Sequence, residues 1–405
     1  MTSIMSLVPA FKREGHNQCQ SDFSSAHKTI DKVEDFLARR PNGVSFITLS
    51  AKAAKHQIQA AEAAKDLGLH VLYDPRTDRM AAADPDGQLE GLPAYGGALL
   101  DLDTLASNPV RREELVIRTI ESHPGTATIV TPPWFFIDSE RTARLAVDLA
   151  ELTRLASDRP VRAVLTISDK LTSSLVDTIA DELARAQVRD VDIRVSPTSA
   201  EADSLRKVRR VFAILDAFSS RGFSVNMGMA GNLGQVAVAL GHASTFSVGI
   251  GQGEHVDQRA TLRHQVSPQP KRYDEDGKEK RGQWEGIYLP GLAATTSRKI
   301  GTALLRHSDI RTRIGCRTEE CANSVAGPLV DSRRYYLHAR THEISVLEGR
   351  PEKWRAQAEL ERLQRALSLR QLINQRYWTE KGPGLPTRTL ESLLDDIREA
   401  QSKVA

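Results

Sequence analysis

Asp74 and Glu254 are the carboxylates in this chain best placed to do chemistry. Each follows a short β-branched run, and neither stands where a helix needs a cap. Carboxylates in such positions do acid–base, nucleophilic or hydrogen-bonding work. Around them lie two glycine-rich stretches, Asn226-Met227-Gly228-Met229-Ala230-Gly231 and Gly249-Ile250-Gly251-Gln252-Gly253. Glycines let a backbone approach a ligand, and a helix beginning there offers free N–H groups to an anion or a carbonyl oxygen. Asn226, Gly228, Gly231, Gly251 and Gln252 are therefore candidate substrate-binding residues, together with Lys52. A third group is Cys316 and Cys321, with His338 and His342 further on. Two thiolates and two imidazoles one helical turn apart would supply a tetrahedral zinc site, although Cys-x4-Cys is looser than the usual Cys-x2-Cys.

The elements that must position these groups follow a repeated rhythm. Eight apolar runs end in small or polar residues: Val44 to Leu49, His70 to Tyr73, Ala127 to Val130, Val161 to Ile167, Val191 to Val195, Phe223 to Met227, Thr245 to Val248 and Gly286 to Leu289. Most are followed by helical spacing, over Lys55 to Leu67, Arg111 to Ser122, Ser139 to Ser157, Leu171 to Ala186 and Ala200 to Arg221. Strands alternating with helices predict a parallel sheet, and eight of them predict a (β/α)8 TIM-type barrel. Residues 1–25 read as a loose arm, 26–310 as the barrel with an N-terminal helix over Ala26 to Arg40, and 311–405 as a Cys/His segment with a helical C-terminal extension. A barrel of this kind builds its site from the loops that follow the strands. That rule adds Ser50, Arg76, Asp78, Thr131, Trp134 and Tyr288 to the candidates, and it adds Ser168, Asp169 and Ser196 as residues equally suited to helix capping.

Composition bounds the function. A chain of 405 residues with 40% hydrophobic and 26% charged residues reads as an ordinary globular protein without a membrane span. The first twenty residues lack the charged-then-apolar order of a signal peptide, and three cysteines make no disulfide framework. A cytoplasmic protein, homo-oligomeric or not, is the expectation. The net charge of +3 permits a nucleic-acid partner without demanding one.

Two segments resemble the tRNA-guanine transglycosylase family, including its DNA-modifying relatives. One is Gly228-Met229-Ala230-Gly231 with Ala237-Val238-Ala239-Leu240-Gly241 and Phe246, similar to the family's glycine loop, helix and next strand. The other is Ser332-Arg333-Arg334-Tyr335-Tyr336-Leu337-His338 after the cysteine pair, similar to its zinc subdomain. The resemblance implies exchange of a purine for a 7-deazapurine in tRNA or DNA, with Asp74 recognising the base and zinc stapling the C-terminal segment. It also implies backbone contacts from Lys271, Arg272, Lys280 and Arg281. The chain departs from the pattern at Ser247, where the family has its nucleophilic aspartate, and Glu254 or Asp257 would then have to serve. The family's cluster also has three cysteines and a histidine, against the two cysteines here. Two other readings remain open. One is a small-molecule lyase or aldolase-type barrel enzyme with Lys52 or Lys170 as a reactive amine, which requires burial to lower its pKa. The other is an inert barrel whose C-terminal helices hold a partner.

Overall fold

In the computed structural model, residues 5–8, 33–199, 203–249, 254–267, 286–318, 321, 327–378 and 384–404 are described. The main sheet is parallel, with its strands β1 (Met5–Val8), β2 (Val44–Ser50), β3 (His70–Asp74), β4 (Phe136–Ile137), β5 (Arg162–Ser168), β6 (Asp190–Ser196), β7 (Ser224–Met227) and β8 (Thr245–Gly249) in the order β3-β2-β1-β8-β7-β6-β5-β4. The gap between β3 and β5 is closed by residues 127–130. There the Thr128 amide donates to the Val71 carbonyl, and Val130 exchanges backbone bonds with Pro160 and Arg162. With that segment as the fourth stave the sheet closes into the expected (β/α)8 barrel.

Two staves differ from the expectation. The first is β1, inside the segment read as a loose arm; it pairs with β2 on one side and β8 on the other. Four residues are too short a run to carry the periodicity of a strand, and only closure of the barrel reveals them. The run Gly286 to Leu289, read as the eighth stave, is instead β9 (Gly286–Leu289) of an antiparallel hairpin with β10 (Ala294–Ser297). A hairpin strand buried on both sides has the same apolar composition as a barrel strand, so composition cannot separate them.

The strands read as they do because both faces are covered. Odd positions of β5 and β6, such as Ala163, Leu165, Val191 and Ile193, join the large apolar cluster under the helices. Even positions face inward, and many are polar: Arg162, Thr166, Asp192 and Arg194, together with Thr48, Asn226 and Ser247 on other strands, are all buried. A barrel lumen is ordinarily filled by branched aliphatic side chains. Here the lumen is built for polar contacts.

The helical ring starts with α1 (residues 33–38), where Val33, Phe36 and Leu37 are buried as their spacing predicts. It continues through α2 (Ile58–Asp66), α3 (Leu102–Ser107), α4 (Pro109–Glu121), α5 (Glu140–Ala156), α6 (Ser173–Arg185), α7 (Leu205–Ser219) and α8 (Gly231–Ala239). Local chemistry sets several starts. Asp101 accepts from the Asp103 and Thr104 amides to cap α3, and Asn108 with Pro109 at the first position starts α4. Ser139 and Thr142 form a reciprocal capping box on α5. After the hairpin come the long helices Ser332–Glu348, Glu352–Arg376 and Arg388–Val404. The extension has a small apolar core of its own, in which Ile287 and Leu289 of the hairpin meet Leu304, Ile314, Leu369 and Ile373.

Candidate active site

At the C-terminal ends of the strands an ion pair crosses the lumen. Arg194, from the sixth stave, reaches Asp74 at the end of the third with NH1 to Oδ2 at 3.2 Å. Its Nε and NH2 hold Asp192 Oδ2, each at 2.9 Å. Asp74 Oδ1 accepts from the Trp134 indole at 2.9 Å and from the Arg76 amide at 3.1 Å. Asn226 donates to Asp192 Oδ1 at 2.6 Å and accepts from Thr245. Trp134 packs against the guanidiniums of both Arg194 and Arg76. Gly228 lies so close to Asp192 and Arg194 that a Cβ there would strike both. This explains the glycine.

Electrostatics fix the protonation of this bridge. Burial alone would raise the Asp74 carboxyl, but the Arg194 and Arg76 guanidiniums and the Trp134 indole overcome it and hold the group below the usual carboxylate range. Burial likewise opposes the charge on Arg194, and Asp192 and Asp74 more than restore it. Asp74 is thus a fixed anion rather than a poised general base. Thr48, Thr131, Asp74, Arg194, Asn226 and Ser247 are among the residues around a cavity of about 290 Å3, counting its open mouth. Its enclosed part holds about one water molecule.

Glu254 does not line that cavity. Its carboxylate lies over Gly231 in the first turn of α8, a position only a glycine leaves open. It is held there by Arg340 and by the Tyr336 hydroxyl at 2.6 Å. Arg340 is fully buried on the helix Ser332–Glu348 and also contacts Asn232, Tyr288 and Glu343. Glu343 pairs in turn with Arg362, and Arg362 with Glu359. Since α8 has no side-chain cap of its own, a carboxylate over its N-terminus complements the helix dipole. Asp74 and Glu254 therefore stand in separate networks, one inside the barrel and one between barrel and extension.

The other sequence candidates fall in several places. Asn226 and Gly228 belong to the Asp74 site, and Gly231 to the Glu254 network. Lys52 is half-buried with its Nζ 3.5 Å from Gln88, and Lys170 is exposed; neither lines the cavity. Ser247 accepts the Met229 amide at 2.9 Å, which braces the loop before α8, and Asp257 caps the helix Gln258–Val266. Gly251, Gln252, Lys271, Arg272, Lys280 and Arg281 lie outside the described residues. Arg194 and Asp192 lie inside a strand and not beyond its end, so the strand-end rule does not reach them. Their signal is the polar alternation inside Val191-Asp192-Ile193-Arg194-Val195, which marks an inward polar face.

Cys316, Cys321 and His338 bring their donor atoms within 4.8 Å of one another. Hydrogen bonds from Cys321, His338 and Thr318 pull the Cys316 thiol well below its ordinary range. Two sulfurs and an imidazole suit zinc, so these three residues fit the implied ion. His342, one turn beyond His338, is exposed and outside the group, which corrects the four-ligand expectation. The physical reason is the helix rise: four residues displace His342 by about 6 Å along the axis from His338, and it is exposed to solvent there.

No protein-family model matches the chain, and no curated protein matches it either. Solved structures with a similar arrangement include type I 3-dehydroquinate dehydratase from Clostridium difficile, 7% identical over 66% of this chain and 94% of that one, with a TM-score of 0.36. The 3-dehydroquinate dehydratase from Geobacillus kaustophilus is 13% identical over 65% and 90%, with a TM-score of 0.36. A putative deoxyribose-phosphate aldolase from Toxoplasma gondii is 12% identical over 66% and 95%, with a TM-score of 0.34. The chain is a (β/α)8 barrel protein with a polar lumen. Among the described residues no helix is long and apolar enough to cross a membrane.

Proposed function

We propose that the chain is a small-molecule enzyme of the lyase class, working at the mouth of its barrel without an imine-forming lysine. The observation that carries this reading is the Asp74–Arg194 bridge, buried across the lumen beneath a narrow cavity that no described lysine lines. Arg194 is preorganised to stabilise negative charge developing on a carbonyl oxygen, an effect that needs no solvent reorganisation. Asp74, fixed as an anion, orients a substrate hydroxyl. Turnover of small hydroxycarbonyl compounds should fall by about 10²-fold or more in Arg194→Lys, which keeps charge and loses the planar fork. Sodium borohydride added during turnover should trap no adduct. A mass increase on Lys52 or Lys170 would sink the mechanism, and failure of every small-molecule substrate would sink the class.

The convergence of Cys316, Cys321 and His338 favours a second reading, base exchange in tRNA or DNA as the family resemblance implies. In that case purified protein would contain zinc and release labelled guanine from nucleic acid, and Asp74→Ala would abolish the release. Absence of nucleic-acid binding at low salt would rule the second reading out.

A further inference from the structure

The hydrogen-bonding capacity left over at the Asp74–Arg194 bridge identifies a class of ligand. A guanidinium has five N–H groups, and hydrogen bonds to Asp192 and Asp74 take two of those on Arg194, with NH2 also at ion-pair distance from Asp192. At least one N–H remains on each terminal nitrogen. Asp74 Oδ1 is filled by Trp134 and Arg76, whereas Oδ2 accepts only from Arg194 and keeps one lone pair. On the same level of the barrel, Ser50 is the register partner of Asp74, and Thr166 that of Arg194. The Ser50 and Thr166 hydroxyls are both buried and have no partner among the described residues. Thr166 follows the two-residue alternation of Arg162 and Val164, both on the cavity wall, so it too faces the lumen.

Charge narrows the choice. Among the residues lining the cavity, the carboxylates Asp74 and Asp192 face the guanidiniums Arg194 and Arg162, so the site carries no net charge of its own. A carboxylate or phosphate would bring an unmatched charge into this balanced and poorly solvated place. An ammonium would satisfy Asp74 but offer nothing to the spare N–H groups of Arg194. A neutral molecule with both a carbonyl and a hydroxyl serves every vacancy.

We infer that the mouth selects a small uncharged hydroxycarbonyl compound, its carbonyl oxygen on the spare Arg194 N–H groups and its hydroxyls on Asp74 Oδ2, Ser50 and Thr166. The inference rests on the small-molecule reading above and specifies its substrate class. Dihydroxyacetone is the probe, followed by ligand-observed NMR with the full chain. Acetone lacks the hydroxyls, glycerol lacks the carbonyl, and glycolate carries a carboxylate. Dihydroxyacetone should bind at least about tenfold more tightly than each, the worth of one or two hydrogen bonds. Thr166→Val should weaken it about fivefold while folding as stably as the parent, because the hydroxyl it removes is unsatisfied without ligand. Arg194→Lys should erase the preference over glycerol. Tighter, Arg194-dependent binding of glycolate would overturn the substrate class and leave the small-molecule reading standing. Unchanged binding in Thr166→Val would overturn the assigned site, and binding of no probe at all would overturn both readings.

Discussion

At Arg194 a single guanidinium bridges carboxylates from two strands, so its loss leaves two buried anions without their shared partner. Removing one partner of a buried pair costs about 3–5 kcal/mol, because the remaining charge keeps its desolvation penalty. Arg194→Met should therefore lower stability by about that amount in urea unfolding at neutral pH. Its deficit should shrink in mild acid: with Arg194 gone, burial raises Asp74, and protonation then removes the unpaired charge. A loss under about 1 kcal/mol would mean the bridge is solvated, contrary to its burial. A second buried group gives the opposite slope. His123 donates through Nδ1 to the Thr119 carbonyl and accepts the Thr131 amide at Nε2, so both nitrogens are engaged in the neutral form. Burial pushes its pKa down from 6.5 to about 4. Between those values the unfolded chain binds a proton that the folded chain does not, so stability is full above pH 6.5 and is lost as pH falls toward 4. The window corresponds to about 3 kcal/mol. His123→Gln should be less stable at pH 7 yet lose less between pH 7 and 4.5, a difference that paired urea titrations would read; equal losses would remove His123 as the cause.

Elements explain which of these groups could be read in advance. The runs on β5 to β8 announce themselves because their outward positions must be apolar to meet the helices, and Asp74 is legible because it terminates such a run. Arg194 was hidden by the same runs, as its polar side chain alternates with Ile193 and Val195 inside a stretch that reads as apolar. The partners of Glu254 were beyond reach, since Arg340 is about ninety residues away in sequence and a charge on a helix gives no sign of being buried. Through Arg340 the helix Ser332–Glu348 is locked to the first turn of α8. Arg340→Leu leaves Glu254 and Glu343 without their shared cation, and the coupling should fail locally. Amide exchange in α8 and in Ser332–Glu348 should rise by about 10²-fold, equivalent to some 3 kcal/mol, while β5 and β6 stay protected. Exchange rising equally everywhere would show that barrel and extension unfold as one unit.

For the molecule as a whole the decisive element is a short one that is easily overlooked. β1 is only four residues long, yet its backbone bonds join β2 to β8 and complete the ring. Without it both neighbours would present unpaired edges along a sheet whose lumen holds charged groups. Open edges invite pairing with other chains, and a breached lumen lets water reach the Asp74–Arg194 bridge. A loose-arm reading of residues 1–25 predicts that they are dispensable, whereas the observed register predicts that they are not. A chain begun at residue 10 should lose its cooperative thermal transition and aggregate when expressed, and Leu7→Pro in the full chain should do much the same by removing a ladder bond within the stave. Deletion from residue 10 onward as far as α1 would not be diagnostic, because it removes the helix as well. A soluble, monodisperse product of the first truncation, melting as the full chain does, would mean that seven staves suffice and that closure by β1 contributes nothing to stability.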